Sequence, residues 1–215
     1  MRQRTLEILH EGGDWAVMNK PAGLPVQAGK AVDANLVGEL EALWGIKPYL
    51  VHRLDRDTSG CLVVARSAAA AKRMGRVLSD PATKKTYLAA VSGILRDPEG
   101  EITESVSVHG VQKQARTRYI LRQRIGDHAS LLELVLDTGR MHQIRLHLAG
   151  LGHPILGDDL HGDFALNKIL RKEMRLKRLL LFAWRLELAG GITVTAPWPE
   201  HFAAFMRAQQ DAPPL

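Results

Sequence analysis

The chain of 215 residues contains one cysteine, Cys61. A single thiol excludes an internal disulfide framework and any zinc site built on several thiolates, and it fits a reducing compartment. Aromatic residues make up only 5%, and no apolar run approaches the length of a membrane span. The first residues, MRQRTLEILHEGGDW, carry charges where a signal peptide needs a continuous apolar stretch. These scarcities lead to the expectation of a soluble, cytoplasmic protein without a membrane partner. There is no internal repeat and no linker long enough to divide the chain, so one domain over residues 1–215 is expected. It would have a short N-terminal segment 1–13, a frayed Pro-rich tail over 208–215 and no separate additional module. Nothing in the sequence demands a second copy, and a monomer is expected.

What is abundant is positive charge. The formal net charge is +6 and the pI near 9.7, which suggests a polyanionic partner. Lys168, Arg171, Lys172, Arg175, Lys177 and Arg178 face only Glu173 within their segment, so the positive field is concentrated. Lys168, Arg171, Lys172 and Arg175 are spaced to share one side of a helix. That face either tracks phosphates or is simply solvated.

The hydrophobic pattern predicts an α+β fold with a mixed sheet. Trp15–Met18 reads as a short buried strand leading into the rigid loop NKPAGLPV, residues 19–26. Asp33 is placed to cap a helix carrying Leu36, Leu40 and Leu43, with Gly45 as its stop. CLVVA reads as an interior strand, followed by a Ser67-capped helix to about Leu78. Strands are predicted over Thr86–Val91, Ile102–Val108, Ala115–Leu121 and Leu131–Leu136. HQIRLHLAGLG reads as a short helix. LLLFAWRLEL and GITVTA read as strands joined at Gly190 and Gly191, with a terminal helix over Pro199–Met206.

Two polar constellations stand out. HRLDRDTSG packs His52, Arg53, Asp55, Arg56, Asp57, Thr58 and Ser59 just before the CLVVA strand. A solvated, salt-bridged loop has the same composition. Arg53 and Asp55, however, lie two apart and point to one side of extended backbone, where a carboxylate beside a guanidinium stays charged and serves as nucleophile or base. Arg56 is suited to holding a phosphate or to a plain surface pair with Asp57. The second constellation, DTGRMHQIRLHLAGLGHPILGD, brings Arg140, His142, Gln143, Arg145, His147 and His153 into glycine-punctuated backbone. His142 and His147 are five apart and diverge around a helix, against a metal pair, which needs a spacing of four. An Arg-rich helix meeting phosphate or carboxylate is the better reading, with Arg145 as the preferred partner of Asp55.

NKPAGLPV, HRLDRDTSG, KKTY at 84–87 and GRMHQIRLHLAGLGHPILGD occur in this order. Together they resemble the RluA-type pseudouridine synthases, over about Trp15–Trp198. The resemblance implies an α+β fold with a large mixed, mainly antiparallel sheet, flanking helices and a central catalytic cleft. It implies isomerisation of uridine to pseudouridine in structured ribosomal or transfer RNA, with Asp55 as the essential aspartate and neither cofactor nor metal. Arg53 matches the arginine beside that aspartate, Tyr87 the tyrosine lying against the base, and Arg145 the arginine paired with the aspartate. Lys20, Arg53, Arg56, Arg140, His142 and Gln143 are expected on the substrate. Three departures stand out: Cys61 for leucine, Phe182 for histidine and His161 for tyrosine. The rival readings are a noncatalytic RNA-binding or ribosome-assembly factor, and a hydrolase using Asp55 with Asp57.

Overall fold

The computed structural model describes residues 6–28, 34–108 and 110–210. Asp33, His109 and the DAPPL tail lie outside them. The fold is α+β and mainly antiparallel, and the chain divides into two compact units. Unit 1 runs to Lys84 and takes in Ala183–Pro197; unit 2 holds Lys85–Phe182 and the chain from Trp198 onward. Among the described residues no helix is long and apolar enough to cross a membrane.

Unit 1 is built on β4 (Ser59–Ala65), every residue of which is buried. It pairs antiparallel with β2 (Trp15–Lys20), so that Val17 faces Val63 and Lys20 faces Gly60. β1 (Glu7–Glu11) lies outside β2, within the short N-terminal segment for which the sequence predicts no strand. Its polar, half-exposed sequence reads poorly because an edge strand need bury only part of one face. β3 (Tyr49–Leu50) adds to the other end of β4. Helix α1 (Leu36–Trp44) is capped by Asn35, whose side chain accepts from Gly38 N, rather than by Asp33, and Gly45 ends it in the left-handed conformation. Helix α2 (Ala68–Ser79) opens at Ser67, whose Oγ accepts from Ala70 N, a cap worth about 1 kcal/mol. Ala70, Met74 and Leu78 recur every four residues and pack with Trp15, Val17, Cys61 and Val63. Burying the Met and Leu side chains contributes about 1.5–3 kcal/mol each.

One glycine here is sterically required. Gly60 has φ +104, and a Cβ at that position would sit inside the backbone carbonyl of Ala183. Gly60→Ala therefore combines left-handed strain with a clash that no side-chain rotation relieves. We expect it to cost about 3 kcal/mol or more, read as a lowered denaturation midpoint in urea.

In unit 2, β5 (Lys84–Ser92), β10 (Ala129–Leu136), β9 (Thr117–Ile125) and β6 (Glu99–Ile102) follow one another in antiparallel register. Tyr87 stands opposite Leu134. The strand expected over Ile102–Val108 is broken. Ile102 pairs with Thr117, whereas β7 (Val106–Val108) turns to β8 (Val111–Lys113) as a separate hairpin. An apolar count along the chain cannot register that change of partner. Helices α3 (Gln143–Gly150) and α4 (Phe164–Glu173) follow. β11 (Leu181–Glu187) crosses from unit 2 into unit 1, where β12 (Thr193–Thr195) pairs with it. The terminal helix α5 (Glu200–Gln210) runs into the stretch expected to fray. Its anchor is Phe202, fully buried and edge-on to Phe182 at 5.2 Å and Trp198 at 5.3 Å.

Candidate active site

In unit 1 the HRLDRDTSG loop is tied from below. Lys20 is fully buried, and its Nζ donates to the carbonyls of Pro21 (3.0 Å), Leu24 (2.8 Å) and Arg56 (2.9 Å). Gly23 N donates to the same Arg56 carbonyl. A lysine ammonium has three protons, and here they join the NKPAGLPV loop to the HRLDRDTSG loop. The substrate contact expected of Lys20 therefore gives way to a positioning place. His52 ties the other flank, its Nε2 accepting from Val63 N at 2.9 Å inside β4, which requires the imidazole to be neutral at that nitrogen.

Between these ties the chain turns, with Thr58 N donating to Asp55 O. Asp55 is half-buried, while Thr58 and Ser59 are buried at the strand entrance. Arg53 is exposed and forms no ion pair among the described residues, so the Arg53–Asp55 pair expected from their spacing is not made. The turn closed by Thr58 N begins only at Asp55, and Arg53 ahead of it is exposed to solvent. Arg56 instead grips its neighbour Asp57 through Nε and Nη2, both at 3.1 Å. This is the surface-pair alternative, and at such exposure it is worth well under 1 kcal/mol.

In unit 2 Tyr87 is buried in β5. Nearby in sequence, burial pulls the Lys85 ammonium below its ordinary value, with Asp137 opposing the shift. Arg145 on α3 is buried and held by Asp158 through two parallel bonds, Nε to Oδ2 at 2.8 Å and Nη2 to Oδ1 at 2.6 Å. Burial alone would raise the Asp158 carboxyl. The hydrogen bond from Arg145, those from the N–H groups of His161 and Leu160, and the guanidinium charge outweigh it, so the carboxyl lies below its usual range.

Gln143, expected on the substrate, is buried with both ends of its amide occupied. Oε1 accepts from Thr138 Oγ1 (2.7 Å) and Arg140 N (3.0 Å), and Nε2 donates to Arg116 O (2.9 Å) and Thr117 Oγ1 (3.0 Å). It fixes the turn that launches α3 and has no capacity left for a ligand. His142 caps α3 in the left-handed conformation, φ 54, with Nδ1 2.9 Å from His161 Nε2. His147 faces elsewhere, its two ring nitrogens on Thr117 Oγ1 and Glu104 O, each at 2.9 Å. Arg140 is exposed, with Nε on Gln114 O. A cavity of about 500 Å³ beside α3 is lined by Glu104, Met141, His142, Leu146 and His161, and includes neither Tyr87 nor Arg145.

Sequence reasoning missed Asp158, Thr117 and Thr138. Asp158 stood inside a quoted motif. Its only local signal was an acidic residue after a glycine turn, and its importance comes from a buried arginine thirteen residues earlier. Of the four cations expected on one helical side, Lys168, Arg171 and Lys172 lie on α4, while Arg175 follows its C-cap Met174 with φ 55. Arg171 is paired with Asp159 at 2.8 Å.

A family profile described as RNA pseudouridylate synthase matches residues 14–150. The chain is 38% identical to ribosomal large subunit pseudouridine synthase D of Xylella fastidiosa, over 96% of this chain and 70% of that protein. It is 35% identical to the synthase D of Nitrosomonas europaea, over 97% and 66%. It thus spans about two thirds of the length of these relatives. Among solved structures, human RNA pseudouridylate synthase domain containing 4 superposes with a TM-score of 0.77 at 25% identity, covering 94% of this chain and 92% of that one.

Proposed function

Since the chain belongs to the RNA pseudouridylate synthase family, we propose that it converts uridines of structured ribosomal RNA to pseudouridine, with Asp55 as the reacting carboxylate. The observation that carries this reading is a half-buried carboxylate on a loop braced by Lys20 and His52. Such bracing holds a reactive group to the tolerance that catalysis needs. Ribosomal RNA is inferred from the relatives, which are named for the large ribosomal subunit. A cytoplasmic monomer acting without cofactor or metal fits the same reading.

In the reaction the N1–C1′ bond breaks, uracil turns, and C5 bonds to the same C1′. The C5 proton leaves to solvent and N1 gains one. Asp55 serves by attacking C1′, by adding to C6 of the ring, or by taking a proton from C2′. Arg145 is assigned to that carboxylate by the motif it matches, and Tyr87 to the face of the base. Arg53, Arg140 and His142 are assigned to the RNA around the target, with Arg56 released from Asp57 to fill the vacated stack. Because sugar and base must both be reached, the uridine leaves its stack at a cost of a few kcal/mol in paired RNA, which favours loop targets.

The test is release of tritium from C5-labelled uridine in ribosomal and transfer RNA transcripts without added metal, beside Asp55→Ala and an assay for free uracil. Release from ribosomal transcripts that vanishes in the variant, with no uracil, is expected. Free uracil would establish a hydrolase instead, and binding of RNA without release from any transcript would establish a noncatalytic factor.

A further inference from the structure

Helix α4 carries a surface that the assigned chemistry does not use. Its buried side is Asn167, with Leu166 and Leu170 half-buried beside it, and the rest of the helix is exposed. Phe164, at 63% exposure, is among the most exposed apolar side chains described. At the spacing of α-helical turns Phe164, Lys168 and Lys172 form one row, rising about 6 Å per step. Lys168 and Lys172 form no ion pair among the described residues, whereas Arg171 beside the row is engaged with Asp159 and Asp163 is engaged as the helix cap, its Oδ1 accepting from Leu166 N. Arg175 continues the positive charge past the helix end. Asp159 and Asp163 are thus occupied, and with Glu173 as the one other acid of the helix, the surface keeps a net positive charge.

An exposed aromatic ring in line with free ammonium groups has a defined complement. Every nucleobase offers a π-face, and the phosphates of the same strand offer charge at intervals, so unpaired nucleic acid satisfies both features together. A protein partner fits less well, because lysine is depleted from the cores of protein interfaces. A paired duplex satisfies the lysines but leaves the ring without a free base. We propose that the Phe164–Lys168–Lys172 row of α4 binds an unpaired segment of the RNA, one base stacked on Phe164 and the phosphates on the two lysines. This rests on the reading of the protein as an RNA enzyme and extends it from the reacting uridine to a second contact on the same strand.

The experiment follows fluorescence anisotropy of a labelled uridine-rich single-stranded RNA, and of the duplex of the same sequence, across a salt series. Phe164→Ala is expected to weaken single-strand binding about 5- to 100-fold at unchanged salt slope. Phe164→Tyr, which keeps the ring, is expected to bind like the parent, and the duplex to be little affected by either. The double variant Lys168→Ala, Lys172→Ala is expected to flatten the salt slope by about 1.4. The proposal is overturned if the parent fails to bind the single strand, if Phe164→Ala binds as the parent does, or if it loses duplex and single strand alike. Capture of a protein through this row with RNA binding intact would overturn it as well. Tritium release is scored separately. Turnover by the parent with an indifferent Phe164→Ala discards this surface alone, whereas silence of the parent on every transcript discards the enzymatic reading and leaves the binding result to decide this one.

Discussion

Replacing Asp55 by Asn will lower tritium release by about 10³-fold or more, the upper range for removing a positioned reacting group, while RNA affinity changes less than tenfold. The separation follows from where the side chain stands. Its loop is fixed by backbone contacts, with Lys20 on the Arg56 carbonyl and Thr58 N on the Asp55 carbonyl. Asn at position 55 leaves those bonds in place, so the variant should fold. Lys20→Met offers the contrasting case, removing the buried ammonium that joins two loops while sparing the carboxylate. It should lower stability and activity together. Equal catalytic loss in the two variants with no loss of stability in Lys20→Met would contradict the positioning place given to Lys20. Activity retained by Asp55→Asn would remove the carboxylate from the mechanism.

The second large effect concerns the buried pair in unit 2. Arg145→Met leaves Asp158 charged, almost wholly buried and without its guanidinium, and breaking such a pair costs about 3–5 kcal/mol. Asp158→Asn strands the opposite charge and also weakens acceptance from the N–H groups of Leu160 and His161, so a loss of the same size is expected. The two differ in kind. If Arg145 also serves the reacting carboxylate, Arg145→Met will lose turnover beyond what unfolding explains when assayed well below its melting temperature, and Asp158→Asn, which keeps the cation, will lose less. The pH dependence has a determined sign. The folded Asp158 carboxyl titrates below its ordinary value of 3.8, so its contribution is complete above that value and is lost as pH falls through the lower, folded one. Acid titration followed by circular dichroism should show that Asp158→Asn lacks this increment of pH-dependent stability below pH 3.8. Identical acid limbs in parent and variant would refute the assignment.

How much of this was legible beforehand divides along a physical line. Local chemistry was readable. The Ser67 cap, the Gly45 stop, the uniformly buried β4 and the turn at Gly190 and Gly191 each follow from a few adjacent residues. Long-range partners were not. The break between β6 and β7 depends on which strands the two halves meet, and Asp158 gains its place from a residue on another element. Gln143 and Lys20 carry polar groups that suit a ligand as well as a carbonyl, and the surrounding fold satisfied them internally. Arg53 and Asp55 illustrate the same limit at short range, because spacing that would align two side chains does not make them pair when one of them is exposed to solvent. Four ordered motifs identified the family correctly, but they could not tell which of their residues face outward and which hold the scaffold.

The contacts around Asp158 also have a consequence for redesign. Its side chain fastens Arg145 on α3, while its main-chain carbonyl accepts from Asn167 Nδ2 and the adjoining Gly157 N donates to Asn167 Oδ1. Asp158 and Asn167 thus act as the two jaws of a clamp, and residues 159–166 are the insert held between them. A segment secured at both ends can be exchanged as a cassette, with sequences from other members of the family grafted between unchanged jaws. Swapping that short piece, with Gly162 kept because a Cβ there would meet the Asp158 carbonyl, would test whether it influences target choice without rebuilding the sheet.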